Sequence, residues 1–157
     1  MTEPVAFQLN GNRVSVQGEN GQSLLDLLRN TLQLKATRMG CGQGQCGACR
    51  VMVDGHAVAA CETPLWAIDG KNVTTVEGLG CRATPHALQT AFIEEQAMQC
   101  GFCTSGILMS AAALLQRQPQ PTRAQIVQAI DGHLCRCGAH NRVVRAIEKA
   151  AARLAAT

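Results

Sequence analysis

Apolar and polar residues alternate with a period of two in the first part of the chain, which predicts strands with one buried face. The predicted strands are Val5–Leu9, Arg13–Val16, Arg50–Val53, His56–Ala60 and Asn72–Val76. Asn10-Gly11 separates the first two strands and Asp54-Gly55 the next two, and both dipeptides are typical of tight hairpin turns. The pattern therefore predicts a sheet that is built largely from hairpins.

One helix interrupts these strands. Leucines at positions 24, 25, 27, 28 and 32 form an apolar face at helical spacing. Ser23 stands in the position of an N-cap, and Asp26, three residues later, gives a variant of the capping box.

After Gly78-Leu79-Gly80 the apolar period becomes helical. Thr84-Pro85 predicts an N-cap followed by proline at the first helical position, and Thr122 predicts a second cap. The predicted helices are His86–Ala97, Thr104–Gln116, Arg123–Ile130 and Asn141–Ala155. We therefore divide the chain into a mixed sheet domain, residues 1–80, and a helical domain, residues 81–157.

Composition excludes several classes of protein. The net charge of +3 is small and no basic run is present, so we expect no binding to nucleic acid. No signal peptide is visible, and the longest apolar run, near Gly106–Leu115, is too short to span a bilayer. We expect a soluble protein, cytoplasmic by default, and export together with a partner that carries a signal stays open.

The chain has nine cysteines, which is many for a protein with no sign of secretion. In a reducing compartment, clustered cysteines more often hold metal than form disulfides. Two groups stand out, named here the first quartet (Cys41, Cys46, Cys49, Cys61) and the second quartet (Cys100, Cys103, Cys135, Cys137). Cys81 stands alone between them, and we assign it no role.

The loop Met39–Cys49 contains two competing signatures. Gly42, Gly44 and Gly47 match the dinucleotide pattern G-x-G-x-x-G, but a strand pattern follows the loop where a helix should begin. The cysteines match the C-x4-C-x2-C spacing of plant-type [2Fe-2S] sites, with Cys61 as the distant fourth ligand. Glycines suit such a loop because they let backbone N–H groups turn towards the sulfur atoms. We therefore predict that the first quartet binds a [2Fe-2S] cluster.

The second quartet combines Cys100-Gly-Phe-Cys103 with Cys135-Arg-Cys137, each near a predicted helix end. Its spacing is compatible with a second cluster, but it leaves three alternatives open. These are a thioredoxin-like dithiol, a structural zinc site, which the first quartet could also form, and disulfides.

Together, the two quartets in this order resemble the small iron–sulfur subunit of the molybdenum hydroxylases, the xanthine dehydrogenase and aldehyde oxidoreductase family. The resemblance is carried by Cys41–Cys49 with Cys61, by Gln99–Cys103 and by Leu134–Cys137, and it covers nearly the whole chain. It implies an α+β fold, with an N-terminal β-grasp domain like plant-type ferredoxin and then a four-helix [2Fe-2S]-binding domain. It also implies two [2Fe-2S] clusters and a large partner subunit that carries a molybdopterin cofactor.

The same resemblance implies roles for individual residues. The second quartet would hold the cluster nearer the molybdopterin, and the first quartet would hold the distal cluster. Gln99 corresponds to a residue that hydrogen-bonds the pterin, and Cys137 lies where the pterin contact passes into the cluster. Without the resemblance, Gln99 would be an ordinary amide at a helix end.

Two departures from the common family pattern are visible. Thr104-Ser105-Gly106 replaces T-P-G after C-x-x-C, and Gly138-Ala139-His140 replaces T-G-Y after C-R-C. The second variant resembles the bacterial branch that contains nicotinate, isoquinoline and aldehyde dehydrogenase small subunits, where electrons often leave to a c-type cytochrome rather than to FAD. We expect His140 to be either a surface residue or a hydrogen-bond donor beside Cys137.

No catalytic residues are predicted, because the histidines are scattered and no Ser–His–acid set or carboxylate pair stands out. We expect a non-catalytic redox subunit that relays electrons within an aldehyde or N-heteroaromatic dehydrogenase. A free ferredoxin-like carrier and a two-zinc structural module are the alternatives.

Overall fold

The computed structural model describes residues 4–18 and 21–156, so the outer limits of the predicted domains, residues 1 and 157, lie outside it. Within these ranges the strands form one sheet in the order β2-β1-β5-β3-β4. The strands are β1 Pro4–Leu9, β2 Asn12–Gln17, β3 Arg50–Val53, β4 His56–Ala59 and β5 Asn72–Thr74. β1 pairs parallel with β5, and the other neighbours pair antiparallel.

Both predicted hairpins are confirmed. Asn10 and Gly11 have φ values of 51° and 82°, and Asp54 and Gly55 have values of 48° and 78°. Positive φ at both central residues is the geometry of the hairpin turn whose twist matches that of the flanking strands.

The predicted helix between the hairpins is confirmed, with a local change. Helix α1, Leu24–Asp26, begins at Ser23, whose Oγ accepts a hydrogen bond from the Asp26 N–H at 3.2 Å. It continues as a π-helical turn, Leu27–Thr31, because the Leu32 N–H donates to the Leu27 carbonyl, five residues back. The apolar face is buried against the sheet, as in a β-grasp fold.

The second half is helical as predicted. The helices are α2 Ala87–Glu94, α3 Thr104–Arg117, α4 Arg123–Ile130 and α5 His140–Ala155. Thr122 caps α4 as predicted: its side chain accepts from the Gln125 N–H at 3.3 Å, and Gln125 Oε1 accepts from the Thr122 N–H at 2.7 Å.

The predicted start of α2 is wrong. His86, not Thr84, is the N-cap: its Nδ1 accepts a hydrogen bond from the Leu88 N–H at 3.2 Å. The Gln89 side chain completes a capping box by accepting from the His86 N–H at 2.9 Å. Thr84 instead contacts Cys81, with 3.3 Å between Oγ1 and Sγ.

Two other element ends differ from the prediction by two residues or more. α2 ends at Glu94 rather than Ala97, and Gln96, at φ 49°, adopts a left-handed conformation that ends the helical path. β5 ends at Thr74, and a 3₁₀ turn, Val76–Gly78, replaces the predicted last residue of the strand. A further 3₁₀ turn, Leu65–Ile68, was not predicted.

Strand β3 joins the two halves of the molecule. Val51 belongs to the apolar core between the sheet and α1, whereas Met52 belongs to the core of the helical half. α3 packs against this strand and comes so close to the preceding loop that a Cβ on Gly106 would overlap the Gly47 carbonyl oxygen. The first quartet's loop is thereby held against the helical half.

Among the described residues, no helix combines the length and the apolar character needed to cross a bilayer.

Candidate metal centre

The loop of the first quartet directs backbone N–H groups at cysteine sulfurs. The N–H groups of Gln43, Gln45 and Cys46 each lie 3.3 Å from Cys41 Sγ. The Gly44 N–H lies 3.2 Å from Cys61 Sγ. Glycines in the left-handed conformation make these reversals of the chain possible, at Gly42 (φ 70°) and Gly44 (φ 68°). The loop therefore points several backbone N–H donors at the sulfurs of Cys41 and Cys61, as the glycine pattern predicted.

The sulfurs of the first quartet are arranged as two pairs. Cys49 Sγ lies 3.3 Å from Cys61 Sγ. Cys41 and Cys46 form the other pair, with the Cys41 N–H 3.3 Å from Cys46 Sγ. Cys61 comes from the turn after β4, so the second hairpin brings the distant fourth cysteine to the loop.

The second quartet is also arranged as two pairs. The Cys100 thiol contacts that of Cys137, and the Cys103 thiol contacts that of Cys135. Cys103 immediately precedes α3, and the Cys135–Cys137 segment lies between α4 and α5. The fold thus brings together all eight cysteines that the sequence assigned to the two quartets, four in each place.

This paired arrangement fits a [2Fe-2S] cluster better than zinc. In a [2Fe-2S] cluster each of two irons takes two cysteines, whereas a structural zinc draws four ligands around one ion. In the part of the chain that the structure describes, no three histidine, cysteine or acidic side chains converge on a single-ion site. The nine cysteines are also all free, which leaves the disulfide alternative without support.

Environment shifts the thiol pKa values in opposite directions. Hydrogen bonds from the N–H groups of Gln43 and Cys46 lower the pKa of Cys41 to about 7. Burial raises the pKa of Cys49 to about 11 and that of Cys103 to about 12. Without a metal these two thiols keep their protons, so a metal ion that binds them has to displace those protons.

The two quartets face one cavity and are joined by one hydrogen bond. A cavity of about 600 Å³ is lined by cysteines of both quartets and by Gly40, Ala48, Phe102, Leu134 and Arg136. The Leu134 N–H donates to the Cys46 carbonyl at 3.0 Å. Since Leu134 precedes Cys135, this bond connects ligand-bearing segments of the two quartets.

His133 lies at the same junction, and the sequence analysis missed it. Its imidazole is only 3% exposed, Nε2 lies 2.8 Å from Ser110 Oγ, and a Cβ on Gly47 would overlap the ring. Burial lowers the pKa of His133 to about 4. No periodic pattern marks such a residue, because its role depends on a contact between distant segments.

Two buried polar atoms, Ser105 Oγ and His133 Nδ1, have no hydrogen-bond partner among the described residues. Each belongs to a residue two positions from a cysteine of the second quartet. Neither residue lines the cavity that the two quartets face, so these atoms give no information about the cluster sites.

Three other residues considered in the sequence, His140, Gln99 and Cys81, lie outside the two sets of sulfur pairs. His140 Nε2 donates to the His133 carbonyl at 2.8 Å, so it is bonded to this segment's backbone rather than to Cys137. Gln99 is exposed beside Cys100. Cys81 is exposed and contacts Thr84, not a quartet.

The loop with the G-x-G-x-x-G pattern leads into β3 rather than a helix, so the dinucleotide interpretation is excluded.

Comparison with known families matches both halves. Residues 7–86 match the family described as a 2Fe-2S iron-sulfur cluster binding domain, and residues 75–148 match the [2Fe-2S] binding domain family. The matches overlap around residue 80, and the exact domain boundary stays a prediction.

Two bacterial relatives match over nearly their whole length. One of the subunits of nicotinate dehydrogenase from Pseudomonas putida is 47% identical over 151 residues, which is 96% of this chain and 96% of the relative. The alpha subunit of isoquinoline 1-oxidoreductase from Brevundimonas diminuta is 48% identical over 148 residues, which is 94% of this chain and 97% of the relative.

Solved structures agree. Quinoline 2-oxidoreductase from Pseudomonas putida superposes with a TM-score of 0.93 at 35% identity, covering 99% of this chain and 96% of that chain. The aldehyde oxidoreductase from Desulfovibrio desulfuricans gives a TM-score of 0.94 at 39% identity, covering 98% of this chain but 17% of that larger chain. This chain, with its ferredoxin-like and helical [2Fe-2S]-binding domains, therefore belongs to the family of iron–sulfur subunits of the molybdenum hydroxylases.

Proposed function

We propose that this chain relays electrons from the molybdopterin centre of a large partner subunit to an external acceptor, during oxidation of an aldehyde or an N-heteroaromatic compound. The observation that carries the proposal is the arrangement of two cysteine quartets, each as two sulfur pairs, around one cavity and joined by the Leu134–Cys46 hydrogen bond. We assign chemistry on the substrate to the partner, since the relatives belong to molybdenum-cofactor enzymes whose partner subunit binds molybdopterin.

Eight cysteines hold the two clusters in this proposal. The first quartet (Cys41, Cys46, Cys49, Cys61) holds one cluster and the second quartet (Cys100, Cys103, Cys135, Cys137) holds the other. A bound [2Fe-2S] cluster supplies one-electron chemistry, so two of them in series suit a two-electron oxidation that must be passed on in single steps.

The protein's own contribution is electrostatic. Each backbone N–H that points at a cysteine sulfur stabilises negative charge there, and the loop around Cys41 supplies three such groups to one sulfur. At the second quartet the Ala139 N–H lies 3.5 Å from Cys135 Sγ, and the N–H groups of Cys137 and Gly138 also act on that sulfur. We expect these donors to help set the reduction potential of each site.

The face around the second quartet supports docking of the partner. Gln99 and Cys100 are exposed there, and Cys137 contacts Cys100. Two large apolar side chains are exposed next to them, Phe102 at 45% and Leu134 at 70%. We assign Gln99 and Cys137 to contact with the pterin, and this apolar rim to the interface with the molybdopterin-binding subunit.

The opposite end of the relay lies at the first quartet. Its loop is exposed at Gly42, Gln43 and Gln45, which leaves an edge open to an acceptor. A c-type cytochrome or an FAD protein is the proposed acceptor. The cytoplasm stays the predicted compartment, and cell fractionation would distinguish it from export on a partner.

Low-temperature EPR of the dithionite-reduced chain, with iron and sulfide counted on the same sample, tests the proposal. We expect two distinct S = 1/2 signals with about four iron and four sulfide per chain. Zinc in place of iron, with no signal, would overturn it.

Cysteine variants test the ligand assignment. Cys61→Ser should remove one signal and about half the iron, and Cys103→Ser should remove the other signal. Cys81→Ser is the matched control, because Cys81 is exposed and bonded to Thr84, and it should keep both signals. Survival of both signals in Cys103→Ser would remove the second quartet from the proposal.

A further inference from the structure

A second, polar cavity lies between the two halves and shares no lining residue with the exposed apolar rim. It has a volume of about 320 Å³ and is lined by residues of β3, β4, α3 and α4 and the turn after α4. The lining residues are Arg50, His56, Ala57, Ser110, Arg117, Gln128, Ala129, Gly132 and His133. Two arginines, two histidines, an amide and a hydroxyl thus face one cavity, and no aspartate or glutamate lines it.

Both guanidinium groups are left without an acidic partner. Arg50 donates from Nη1 to the Ala57 carbonyl at 3.4 Å, and Arg117 donates from Nε to the Ala113 carbonyl at 3.2 Å. Among the described residues, neither arginine forms an ion pair with a carboxylate. A guanidinium has five N–H donors, so most donors of both groups remain for a ligand.

Some cations elsewhere on the helical half form ion pairs: Arg123 pairs with Glu148 at 3.0 Å, and Arg145 and Lys149 pair with Glu95 at 3.4 and 3.1 Å. Others, such as Arg136 and Arg142, form none among the described residues. The cavity is distinguished because two unpaired arginines line it together. Two like charges held at one cavity repel each other, and an anion between them removes that repulsion.

We propose that this cavity binds an oxyanion, a phosphate or carboxylate group, between the guanidinium groups of Arg50 and Arg117. The planar fork of each arginine matches two oxygens of such a group, and the Gln128 amide adds a neutral donor. The volume is at the lower end of the range for small-molecule sites, about 300–1,000 Å³. The group comes from a free small anion or from an acidic side chain of the partner subunit.

Calorimetric titration of the full, cluster-loaded chain with inorganic phosphate, in chloride buffer of matched ionic strength, tests this proposal. We expect one phosphate per chain. Arg117→Met should weaken binding by at least tenfold, since a charge-assisted hydrogen bond is lost and Arg117 is exposed enough for the variant to fold. Arg50→Met should do the same, and unchanged visible absorption would show that both variants keep their clusters.

Arg13→Met is the matched control. Arg13 is exposed on β2, at the opposite edge of the sheet from β4, and its loss makes the same change of net charge. Equal weakening in Arg13→Met and Arg117→Met would mean only general attraction to a basic protein, and would overturn the site.

The same titration on the complex with the molybdopterin-binding subunit identifies the source of the group. Binding that persists in the complex assigns the site to a free anion. Binding that is lost in the complex, with Arg117→Met weakening assembly at least tenfold while Arg13→Met does not, assigns it to a carboxylate of the partner. No phosphate binding by the chain, together with normal assembly of Arg117→Met, overturns the proposal.

Discussion

Gly47 meets two structural demands at once. It lies between Cys46 and Ala48 in the loop of the first quartet, and its φ of 77° is in the left-handed region. The His133 imidazole covers it so closely that a Cβ would overlap the ring. Backbone conformation and space therefore both require glycine at this position.

Gly47→Ala should destabilise the protein by about 2–5 kcal/mol, because left-handed strain contributes about 1–2 kcal/mol and overpacking about 1–3 kcal/mol. This corresponds to a drop of roughly 4–20 °C in the apparent Tm of the cluster-loaded chain. Gly11→Ala is the control, since Gly11 has the same strain (φ 82°) but open space around a Cβ. An equal drop in both variants would show that contact with His133 does not matter.

The hydroxyl of Ser110 is the partner of a buried imidazole. Ser110→Ala removes the 2.8 Å contact with His133 Nε2 and leaves a ring whose Nδ1 already lacks a partner among the described residues. We expect the free energy of unfolding to fall by about 1–3 kcal/mol, measured as a lower urea midpoint. Ser15→Ala, at an exposed position of β2, should change it by less than about 0.5 kcal/mol.

Helix α2 begins at a titratable cap. His86 Nδ1 must be unprotonated to accept the Leu88 N–H, and burial lowers the pKa of His86 from its ordinary 6.5. As the pH falls through about 6.5 the unfolded chain takes up this proton first, so stability declines from there down to the folded-state pKa.

His86→Asn tests this sign, because asparagine is a good N-cap that does not titrate. Between pH 7.5 and 5.5 the wild type should lose about 1 kcal/mol more stability than His86→Asn, the usual worth of a cap. His86→Ala should be less stable than the wild type at pH 7.5 and lack this part of the pH dependence. Parallel curves for wild type and His86→Asn would contradict the assignment.

The helices and hairpins could be predicted where the signal is local. Asn10-Gly11 and Asp54-Gly55 specify their turns by themselves, and Thr122 with Gln125 specifies its cap. Thr84 failed as a cap although its sequence signal is just as good, because His86 and Gln89 form the capping box two residues later. Histidine is rarely expected in that role, so the sequence offered no reason to prefer it.

In the candidate site, too, only the features with a local sequence signal could be predicted. Cysteine spacing predicted a cluster at the first quartet, because ligands to one cluster recur at characteristic separations, and the family resemblance extended the prediction to the second quartet. The sulfur pairs, the Leu134–Cys46 bond and the contact of His133 with Gly47 all join segments that are distant in the sequence. Such contacts depend on how the chain folds back on itself and how the helical half docks on β3, which no local pattern encodes.

The exposed apolar rim, formed by Phe102 and Leu134, lies beside the second quartet. Leu134→Glu should weaken assembly with the molybdopterin-binding subunit by at least tenfold, because a carboxylate would be buried in the interface without a partner. The cluster signals should not change, since the Leu134 backbone bond to Cys46 does not involve the side chain. Sedimentation of the mixed subunits measures the effect.

Val127→Glu is the control for that experiment, since Val127 is 44% exposed on α4, outside the rim. Equal loss of assembly in both variants would mean that added negative charge, and not the position of Leu134, disrupts the complex.

The close approach of α3 to the Gly47 loop also has a consequence for biosynthesis. Residues 41–61, which carry the whole first quartet, leave the ribosome before Gly106 and His133, the residues that cover this loop. Domains fold as units during synthesis, N-terminal parts first. The loop is thus open to iron and sulfide delivery while the chain is incomplete, and it closes when the helical half docks. A truncated chain that ends after β5 would keep that loop uncovered.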